Sequence, residues 1–576
     1  MSQLSKRWII AKRIPPHEEK ELENYIPVFR QILYNRGFHT KQSAQKFLDA
    51  NQPEGTEPNR MLGIPQATDR VLQAISDHEQ IAIYGDYDAD GITATALLVK
   101  IINALGGNAI PYIPNRFEEG YGLKKEALQN LYRDGIRLVI TVDCGIRSIP
   151  EAQLARDLNL DMIISDHHSP FNVLPPAFAI INPKQPGDPY PEKELAGVGL
   201  AYKLACAITG YADKISPPDD NGGDPRNPNH YLDLVALGTV ADLAPLTGEN
   251  RSLVKRGIEK LKQPHNQGIS SLINASGINP NILNAYHIGF ILGPRLNAAG
   301  RLDTAMTSVS LLLSDDVNQT GKLAQYLDDQ NRERQEITRQ IHKQAEEFCQ
   351  PIEQDTFLLF ALHKDFNPGV IGLAASRLCE QYYRPAIVAF QGEEFTRGSC
   401  RSIPEFDITK ALDACADLME YHGGHAAAAG FTIRNQKVPL LKQRLQALAQ
   451  EQLSKEILQP TLNIDLDIPL KDLKPNILDC LDKLQPTGNS NDQPIFVSRN
   501  LMAKAKKKIG KEFNHLKMVV SDGIITYDAI AFRQSDWFEK LPPRFDLAYT
   551  FERNEYNGRS SLQLNVLDIK PSNNEA

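Results

Sequence analysis

Three aspartates fall within five positions of the chain, in a stretch that reads IAIYGDYDADGIT (81–93). Asp86, Asp88 and Asp90 follow an apolar run that is typical of a buried β-strand. Two negative charges about 4 Å apart repel each other by about 4 kcal/mol at an effective dielectric constant of about 20. Protonation relieves part of this repulsion, but divalent cations relieve it better. The spacing therefore indicates a cation site.

Three further polar sets follow apolar runs in the same region. Asp143 comes directly after LVITV, the sequence DHH (166–168) comes directly after DMIIS, and Asp242 ends VALGTVAD. Because parallel strands bring their carboxyl ends together, up to six carboxylates would converge with His167 and His168. Such a donor set suits Mn²⁺ or Mg²⁺. If Asp143 bridged two ions about 3.5–4 Å apart, the site would have the two-metal arrangement that hydrolyses phosphate esters.

Each of these residues also has a purely structural interpretation. An aspartate after a strand is commonly a helix N-cap or a turn residue, and for Asp86 alone that interpretation is as good as the metal one. Asp242 alone is more often an exposed helix residue, and paired histidines arise by chance. The metal hypothesis rests on the joint pattern, since N-capping alone would rarely place such sets at three successive strand ends.

The elements that would position these residues are short apolar runs that alternate with helical stretches between residues 80 and 245. This alternation predicts a parallel sheet with helices on both faces, and hence an α/β fold. The predicted strands are the runs at 81–85, 109–113, 138–142, 161–165 and 178–181.

The rest of the chain predicts further domains. Residues at i, i+3 and i+4 spacing from Val317 to Cys349 predict a long helix between two domains. A second α/β region follows, and short β-like runs in the tail predict a small antiparallel barrel. The predicted domains are an N-terminal helical segment (1–60), the parallel-sheet domain (61–315, with a loop insertion at 216–229), the connecting helix (316–350), the second α/β domain (351–450) and the barrel (455–570).

The composition is that of an ordinary globular protein, with 41% hydrophobic and 23% charged residues among 576. The net charge of −8 argues against general coating of nucleic acid, but it allows a local basic groove. Seven cysteines without a CxxC pair predict neither a disulfide framework nor a structural zinc site. No segment is typical of a signal peptide or a membrane span, so a cytoplasmic protein is expected.

Several motifs resemble those of a known family. GDYDADG, TVDCG, SDHH and ALGTVAD resemble, in order, the four metal-binding motifs of the DHH phosphoesterases. Five more motifs resemble the RecJ family of single-strand-specific 5′→3′ DNA exonucleases, and the tail resembles that family's OB-fold in HLKMVVSDG and NEYNGRSSLQL. The resemblance covers nearly the whole chain. The five motifs are YIPNRFEEGYGL (112–123), GPRLNAAGRLD (293–303), GVIGLAASRL (369–378), GSCRS (398–402) and GGHAAAAG (423–430).

The resemblance implies a set of site residues and two Mn²⁺ or Mg²⁺ ions. His168 matches the histidine that contacts the scissile phosphate, and Asp143 would be shared by both ions. Asp86 matches a motif position whose role as a ligand stays open, and Asp166 would either orient an imidazole or cap a helix. The metal-ligand candidates are Asp86, Asp88, Asp90, Asp143, His167 and Asp242.

Substrate-binding candidates come from the same motifs and from the tail. Arginine binds phosphate through a planar fork, and neighbouring glycines let the backbone approach. Basic and aromatic residues around AKAKKKIGK (503–511) are typical of an OB surface that binds single strands. An ion pair within the protein is the alternative for any single arginine, and a solvated loop is the alternative for the lysines. The candidates are Arg116, Arg295, Asn297, Arg301, Ser399, Arg401, Ser402, His425, Lys506 and Lys508.

The sequence departs from the family pattern at three places. The family often has a GxGNPxPxF element before its OB-fold, and here the corresponding stretch reads TGNSNDQPIF (487–496). The histidine expected before GVIG is lost or shifted in HKDFNPGVIG (363–372), and the loop at 216–229 is an insertion. None of these departures touches the metal-ligand candidates.

The resemblance implies an exonuclease that degrades single-stranded DNA to 5′-mononucleotides in DNA repair and recombination. It implies a monomer, with a single-strand-binding protein and a helicase as partners and no membrane association. Two alternatives stay open: a DHH phosphodiesterase for short oligonucleotides or cyclic dinucleotides, and an inactive DHH scaffold that binds DNA. The lysine-rich tail argues against the first and the filled ligand positions argue against the second. No residue pattern decides whether RNA is also cleaved.

Overall fold

The structure is a computed structural model that describes residues 5–115, 122–211, 224–353, 355–454, 458–556 and 559–572. The chain forms two compact units, each assembled from separate stretches of sequence. One, here called the sheet unit, comprises Gln45–Glu333 and Leu484–Asp492. The other, here called the barrel unit, comprises Met1–Ala44, Arg334–Lys483 and Gln493–Ala576.

The secondary structure follows the predicted alternation in its first half. The N-terminal elements are β1 Arg7–Ile10, α1 Pro16–Glu21, α2 Pro27–Asn35 and α3 Lys41–Asp49. Next come α4 Ile64–Ser76, β2 Gln80–Gly85, α5 Ala89–Ala104, β3 Asn108–Tyr112, α6 Lys125–Arg133, β4 Leu138–Val142, α7 Ile149–Asp157, β5 Asp161–Ser165, β6 Ala179–Ile181, α8 Gly197–Thr209, α9 Leu232–Ala241, α10 Gly248–Lys262, α11 Gln267–Ser276, α12 Ala285–His287, a π-helical turn Ile288–Leu292, α13 Gly293–Leu302 and α14 Met306–Leu313.

The second half begins with the predicted long helix. Its first elements are α15 Val317–Cys349, β7 Leu359–His363, α16 Ile371–Tyr382, β8 Ala386–Gln391, β9 Phe395–Arg401, α17 Ile408–Asp413, β10 Met419–His425, β11 Ala428–Arg434 and α18 Val438–Gln452. The last elements are β12 Thr461–Ile464, β13 Leu466–Asp467, α19 Pro475–Asp482, β14 Phe496–Ile509, β15 His515–Ser521, β16 Thr526–Ala531, α20 Trp537–Lys540, β17 Phe545–Tyr556 and β18 Arg559–Pro571. No described helix is both long and apolar enough to cross a membrane.

The sheet unit contains a five-stranded parallel sheet in the order β3-β2-β4-β5-β6. Side chains of successive strand residues point to opposite faces, so a strand buried on both faces is apolar throughout. Along β2, Ile81 and Ile83 join one hydrophobic core, whereas Ala82 and Tyr84 join another. Helices therefore cover both faces, and the predicted α/β fold class is confirmed. Most of the predicted insertion at 216–229 lies outside the described residues.

The barrel unit contains a mixed five-stranded sheet in the order β10-β11-β9-β8-β7, in which only the β7–β8 pair is parallel among the described strands. The C-terminal strands form a barrel that closes through pairing of β14 with β17, as the predicted OB-fold requires. Strands β9 and β10 were not predicted, because FTRGSCR and MEYHGGH lack an alternating apolar pattern.

The N-terminal segment was predicted as helical, but it opens with a strand. Strand β1 pairs in parallel with β12, so that Arg7 lies opposite Thr461. The indole Nε1 of Trp8 donates a hydrogen bond of 2.7 Å to the Asp568 carboxylate in β18. A four-residue strand whose partner lies far along the chain gives no local pattern, so sequence periodicity cannot reveal it.

A buried arginine holds the start of the segment 484–492 against the rest of the sheet unit. Arg251 in α10 donates hydrogen bonds to the backbone carbonyls of Phe47 (3.0 Å), Leu484 (2.8 Å), Gln485 (2.9 Å) and Pro486 (3.1 Å). Its guanidinium also lies 4.1 Å from the centroid of the Phe47 ring. Since each buried carbonyl needs a donor, this side chain satisfies several carbonyls at once and fixes the start of the segment.

We expect Arg251→Ala to lower the free energy of unfolding of the sheet unit by about 3 kcal/mol, because several hydrogen bonds to a charged donor are lost together. Denaturant unfolding should be followed by circular dichroism, since Trp8 and Trp537 both belong to the barrel unit and do not report on this one. Arg133→Ala, at an exposed position of α6, serves as the control and should cost under about 0.5 kcal/mol. Equal losses in the two variants would contradict the prediction.

Candidate metal centre

The polar residues predicted from strand ends meet at the carboxyl edge of the parallel sheet. The chain runs from β2 outward to β3 and then returns to β4 on the other side of β2, so the strand order reverses between β2 and β4. Asp86 follows β2, Asp143 follows β4, and Asp166 to His168 follow β5. Ligands of open α/β sheets bind at such a reversal.

The loop after β2 turns directly into α5. Asp88 is the N-cap of α5, and its Oδ1 accepts hydrogen bonds from the backbone N–H groups of Asp90 (3.0 Å) and Gly91 (3.2 Å). A Cβ at Gly91 would lie 2.5 Å from the Asp86 carbonyl oxygen, so only glycine fits there. The N-cap interpretation, weighed above for Asp86, therefore applies to Asp88, and the N–H groups of α5 bond to its Oδ1.

Asp90 is fully buried and is held by the N-terminus of another helix. Its Oδ2 accepts the N–H of Gly197 at 2.7 Å and its Oδ1 accepts the N–H of Val198 at 2.8 Å. A Cβ at Gly197 would lie 2.7 Å from Cβ of Asp143, which explains the glycine at the start of α8. Sequence reasoning missed this contribution of α8. Two glycines opening an apolar helix in AGVGLA (196–201) were the available signal.

Asp143 occupies the centre of the site. It has φ +62°, a left-handed conformation that non-glycine residues rarely adopt and that is concentrated at functional sites. Its buried Oδ1 lies 3.0 Å from Nε2 of His167 without hydrogen-bond geometry between them. A carboxylate oxygen and an imidazole nitrogen at this distance, with no hydrogen bond between them, fit two ligands of a shared cation.

Five aspartates and two histidines form three groups that could each hold a metal ion. Within each group the candidate ligand atoms lie within 4.8 Å of one another. Asp143 belongs to two of the groups and His167 to two, as expected for ligands near the middle of a two-ion site. The groups are Asp86, Asp88 and Asp143; Asp90, His167 and Asp242; and Asp143, His167 and His168.

Asp166 orients the second histidine. Its Oδ1 accepts hydrogen bonds from the backbone N–H (3.0 Å) and from Nδ1 (2.8 Å) of His168, and its Oδ2 accepts the N–H of Ile146 at 2.9 Å. Burial lowers the pKa of His168, but the Asp166 hydrogen bond and the charges of Asp166, Asp242 and Asp86 outweigh it and raise the pKa to about 9. Without a cation in the cluster, these carboxyl groups therefore favour the protonated imidazole of His168.

Burial and mutual repulsion raise the pKa values of the clustered carboxyls. Desolvation, with the charge of Asp88, raises the pKa of Asp90 to about 7. Desolvation, with the charges of Asp90 and Asp88, raises that of Asp242 to about 8, and the pKa of Asp143 is raised for the same reasons. Without a cation, burial and repulsion therefore both favour the protonated forms of these carboxyls. Carboxylate oxygens and imidazole nitrogens at this spacing fit Mn²⁺ or Mg²⁺.

Helix α13 supports the loop that carries the first aspartates. Oδ1 of Asn297 accepts the backbone N–H of Ala89 at 2.7 Å, and a Cβ at Gly300 would lie 2.7 Å from the Tyr87 carbonyl oxygen. Asn297 was predicted to bind substrate, but its carbonyl group here positions the start of α5. Arg301 follows Gly300 directly in α13 and is partly buried.

Two other arginine candidates have different surroundings. Arg295 donates to Oδ1 of Asp328 in α15 through Nε at 2.9 Å and Nη2 at 2.7 Å, and Arg332 pairs with the other oxygen of Asp328 at 2.6 Å. Asp328 is buried, so the geometry of Arg295 favours the alternative of an ion pair within the protein. Arg116 lies outside the described residues.

The candidates in the second α/β domain meet at the first turn of α16. A Cβ at Gly372 would lie 2.9 Å from Oγ of Ser399 and 3.1 Å from Nη2 of Arg401, both on β9. Arg401 donates to Ser399 Oγ at 3.2 Å. Ser402 instead donates its hydroxyl to the Phe406 carbonyl at 2.6 Å, which stabilises a turn.

The remaining candidates lie elsewhere in the barrel unit. His425 is exposed at the end of β10. Lys506 and Lys508 are exposed on β14, with their ammonium groups 5.0 and 5.2 Å from the centroid of the Phe538 ring. The exposed aromatic rings of Phe513 and Phe532 belong to the same barrel.

Comparison with known proteins agrees with this architecture. The DHH family, N-terminal domain model matches residues 80–239, the DHHA1 domain model matches 354–454, and the RecJ OB domain model matches 464–568. The sheet, the carboxylates and histidines at its edge, and the two following domains thus define the class, a multidomain DHH-family protein.

Similarity to known proteins along nearly the whole chain identifies the family within this class. The chain is 37% identical to "Single-stranded-DNA-specific exonuclease RecJ" of Bacillus subtilis (strain 168) over 98% of this chain and 71% of that protein. It is 35% identical to the protein of the same name in Escherichia coli (strain K12), over 95% of this chain and 96% of that one. The crystal structure of RecJ in complex with Mn²⁺ from Thermus thermophilus superposes with a TM-score of 0.84 at 28% identity, covering 98% of this chain and 80% of that one. The chain belongs to the RecJ family, and the resemblance found in its motifs is confirmed.

We expect Mn²⁺ to raise the thermal midpoint of unfolding more at pH 8 than at pH 6. Carboxyls whose pKa is raised on folding favour the folded state at low pH, and this contribution is lost as the pH rises from about 4 through about 8. At pH 8 more of the carboxyls are ionised and repel one another, and a bound cation offsets this repulsion. Thermal unfolding with Mn²⁺ and with EDTA checks this, with Asp143→Ala as the control that should respond least. A larger shift at pH 6 would show that the raised pKa values are wrong.

Proposed function

We propose that this protein is a metal-dependent exonuclease that degrades single-stranded DNA 5′→3′ to 5′-mononucleotides in DNA repair and recombination. One observation carries the proposal: five aspartates and two histidines converge at one sheet edge, in a chain that matches named single-stranded-DNA-specific exonucleases along nearly its whole length. A small-substrate phosphodiesterase would need the same cluster, but not the lysines on β14.

The ligands have distinct tasks in this proposal. Asp88, Asp90, Asp143, His167 and Asp242 hold two Mn²⁺ or Mg²⁺ ions, with Asp143 shared and Asp86 beside it. The chemistry that two such ions supply is activation of water for in-line attack on phosphorus and neutralisation of charge on the phosphoryl oxygens. The 3′ oxygen of the released nucleotide leaves, and the shortened strand keeps a new 5′ phosphate.

His168 is assigned to the scissile phosphate. The hydrogen bond between Nδ1 and Asp166 fixes the imidazole, and the same carboxylate favours protonation of the ring, which would make Nε2–H a donor to a phosphoryl oxygen. A preorganised cationic donor interacts more strongly with the transition state than with the substrate, because negative charge on the phosphoryl oxygens grows between them. His168 therefore acts on the reacting group, whereas Asp166 acts only through His168.

The corner formed by Gly372, Ser399 and Arg401 is assigned to the terminal phosphate of the strand. Three features support this: the N–H groups at the start of α16, the Ser399 hydroxyl and the Arg401 guanidinium all lie at one place. Each of them favours an anion. Arg301 stays a separate candidate for contact with a phosphate of the strand, and Lys506 and Lys508 are assigned to phosphates further along the strand.

We expect Arg401→Ala to reduce the preference for a 5′-phosphorylated end over a 5′-hydroxyl end by about 10-fold or more, since a charge-assisted hydrogen bond contributes about 1.5–3 kcal/mol. The measurement is kcat/KM on two oligonucleotides that differ only in that phosphate. Arg401→Lys keeps the charge without the planar fork and should fall between the two. If Arg401→Ala lowered kcat/KM equally for both oligonucleotides, the assignment of Arg401 to the terminal phosphate would be wrong.

The proposed reaction is tested with one single-stranded DNA labelled separately at each end, with Mn²⁺ and with EDTA. We expect mononucleotides from the 5′ end, only with metal, and at least about 100-fold slower in Asp143→Ala. Turnover of dinucleotides but not of the long strand would indicate the small-substrate phosphodiesterase. DNA binding without any turnover would indicate a scaffold. An RNA strand of the same sequence decides whether the 2′-hydroxyl is tolerated.

The family resemblance also supports a setting for this activity. In the proposal the enzyme is a cytoplasmic monomer that acts on strands exposed by a helicase and coated by a single-strand-binding protein. Light scattering of the purified protein tests the monomer, and co-sedimentation with each purified partner tests the two interactions.

A further inference from the structure

The metal-ligand candidate Asp242 stands immediately before a sharp reversal of the chain. It caps the C-terminus of α9, and Leu243 then adopts φ +60°, the left-handed region that is unfavourable for a residue with a side chain. The N–H of Leu243 bonds to the Val240 carbonyl at 3.2 Å, and the Leu243 side chain is 69% exposed. Backbone in such a conformation persists where neighbouring structure holds it.

Asp242 also differs from the other ligand candidates in what orients its carboxylate. The Asp90 oxygens accept N–H groups of Gly197 and Val198, as described above. In the described part of the chain no group donates a hydrogen bond to the Asp242 carboxylate, whose Oδ2 lies 3.8 Å from Nε2 of His167. The position of this carboxylate therefore depends on the backbone at the end of α9, which continues into the turn at Leu243.

A segment from much later in the chain holds that turn. Nδ2 of Asn489 donates to the Leu243 carbonyl at 2.6 Å, and the Asn489 carbonyl accepts the N–H of Leu246 at 2.8 Å. A Cβ at Gly488 would lie 2.8 Å from Cδ1 of Leu246, so the segment lies directly against the turn. Asn489 thus contacts both ends of the strained stretch.

The segment that presents Asn489 is itself rigid. Gly488 and Asn491 exchange two backbone hydrogen bonds of 3.0 Å, which makes Asn489 and Ser490 the two residues at the tip of a tight turn. Nδ2 of Asn491 donates to the carbonyls of Leu484 (2.8 Å) and Pro486 (2.7 Å). The residues before the turn are those that Arg251 attaches to α10. Asn489 is therefore fixed from both sides.

We propose that Asn489 is a positioning residue of the metal centre. It fixes the turn at Leu243 to Leu246 and thereby directs Asp242 towards the ion held with Asp90 and His167. The altered element TGNSND (487–492) belongs to the sheet unit, and in this proposal it supports the backbone next to the metal-ligand candidate Asp242. The inference rests on the proposed function, because it requires Asp242 to bind a cation.

The test is calorimetric titration of Mn²⁺ into the full-length protein and its variants. We expect Asn489→Ala to weaken one of two binding events by about 10-fold and to leave the other within about twofold, because a group that orients a ligand typically contributes that much. Asn489→Asp keeps the shape but cannot donate to the Leu243 carbonyl, and should behave like Asn489→Ala. Thr487→Ala lies in the same segment, and among the described residues the Thr487 side chain forms no hydrogen bond with the turn, so this variant should match the parent protein.

A kinetic readout separates positioning from a general loss of structure. In Asn489→Ala we expect kcat at limiting Mn²⁺ to fall by about 10-fold, while KM for single-stranded DNA and the thermal midpoint measured in EDTA stay close to those of the parent protein. Excess Mn²⁺ should restore kcat, because the lost affinity is then compensated by concentration.

Asp242→Ala distinguishes the two ways in which the inference can fail. If Asp242→Ala loses one Mn²⁺ while Asn489→Ala binds both with parental affinity, the positioning role is wrong and the proposed ligand set stands. If Asp242→Ala binds both ions with parental affinity, the ligand set itself is wrong and the inference fails with it. Equal weakening in Thr487→Ala and Asn489→Ala would overturn the specific role of Asn489.

Discussion

Repulsion between buried carboxylates is the constraint on which the rest of this structure depends. Asp90 and Asp143 are almost completely inaccessible and lie beside three further aspartates, so burial and like charge both oppose their ionisation. A fold keeps such a cluster only if its backbone leaves the side chains no alternative. The parallel sheet does this, because the reversal of strand order between β2 and β4 delivers their carboxyl ends to one place.

The sequence correctly predicts the strands and helices that produce a pattern among neighbouring residues. Strands buried on both faces are continuous apolar runs, and for that reason the five predicted runs correspond to β2 to β6 within about one residue. Polar residues directly after such runs must lie at the sheet edge, so Asp86, Asp143 and His167 could be grouped without coordinates. The long helix α15 is equally local, since its periodicity continues for 33 residues.

The parts that the sequence does not predict depend on partners distant in the chain. Arg295 and Arg401 lie in similar glycine-containing motifs, yet one pairs with buried Asp328 while the other lies at the start of α16. No local pattern distinguishes them, because Asp328 belongs to a helix predicted only to connect domains. Asn489 is a similar case, since its importance depends on the conformation of Leu243, which no single-sequence pattern reveals.

The groups that position Asp90 and the start of α5 are uncharged, as a site that binds a cation requires. Asp90 is oriented by the N–H groups of Gly197 and Val198, and the start of α5 by the amide of Asn297. Among the described residues no lysine or arginine forms an ion pair with Asp88, Asp90, Asp143 or Asp242, although arginines are used freely elsewhere, as at Asp328. A cationic side chain would neutralise a ligand and compete with the metal. Neutral groups that position a ligand or its backbone leave the charge of that ligand available to the metal, which is what a site with several carboxylates requires.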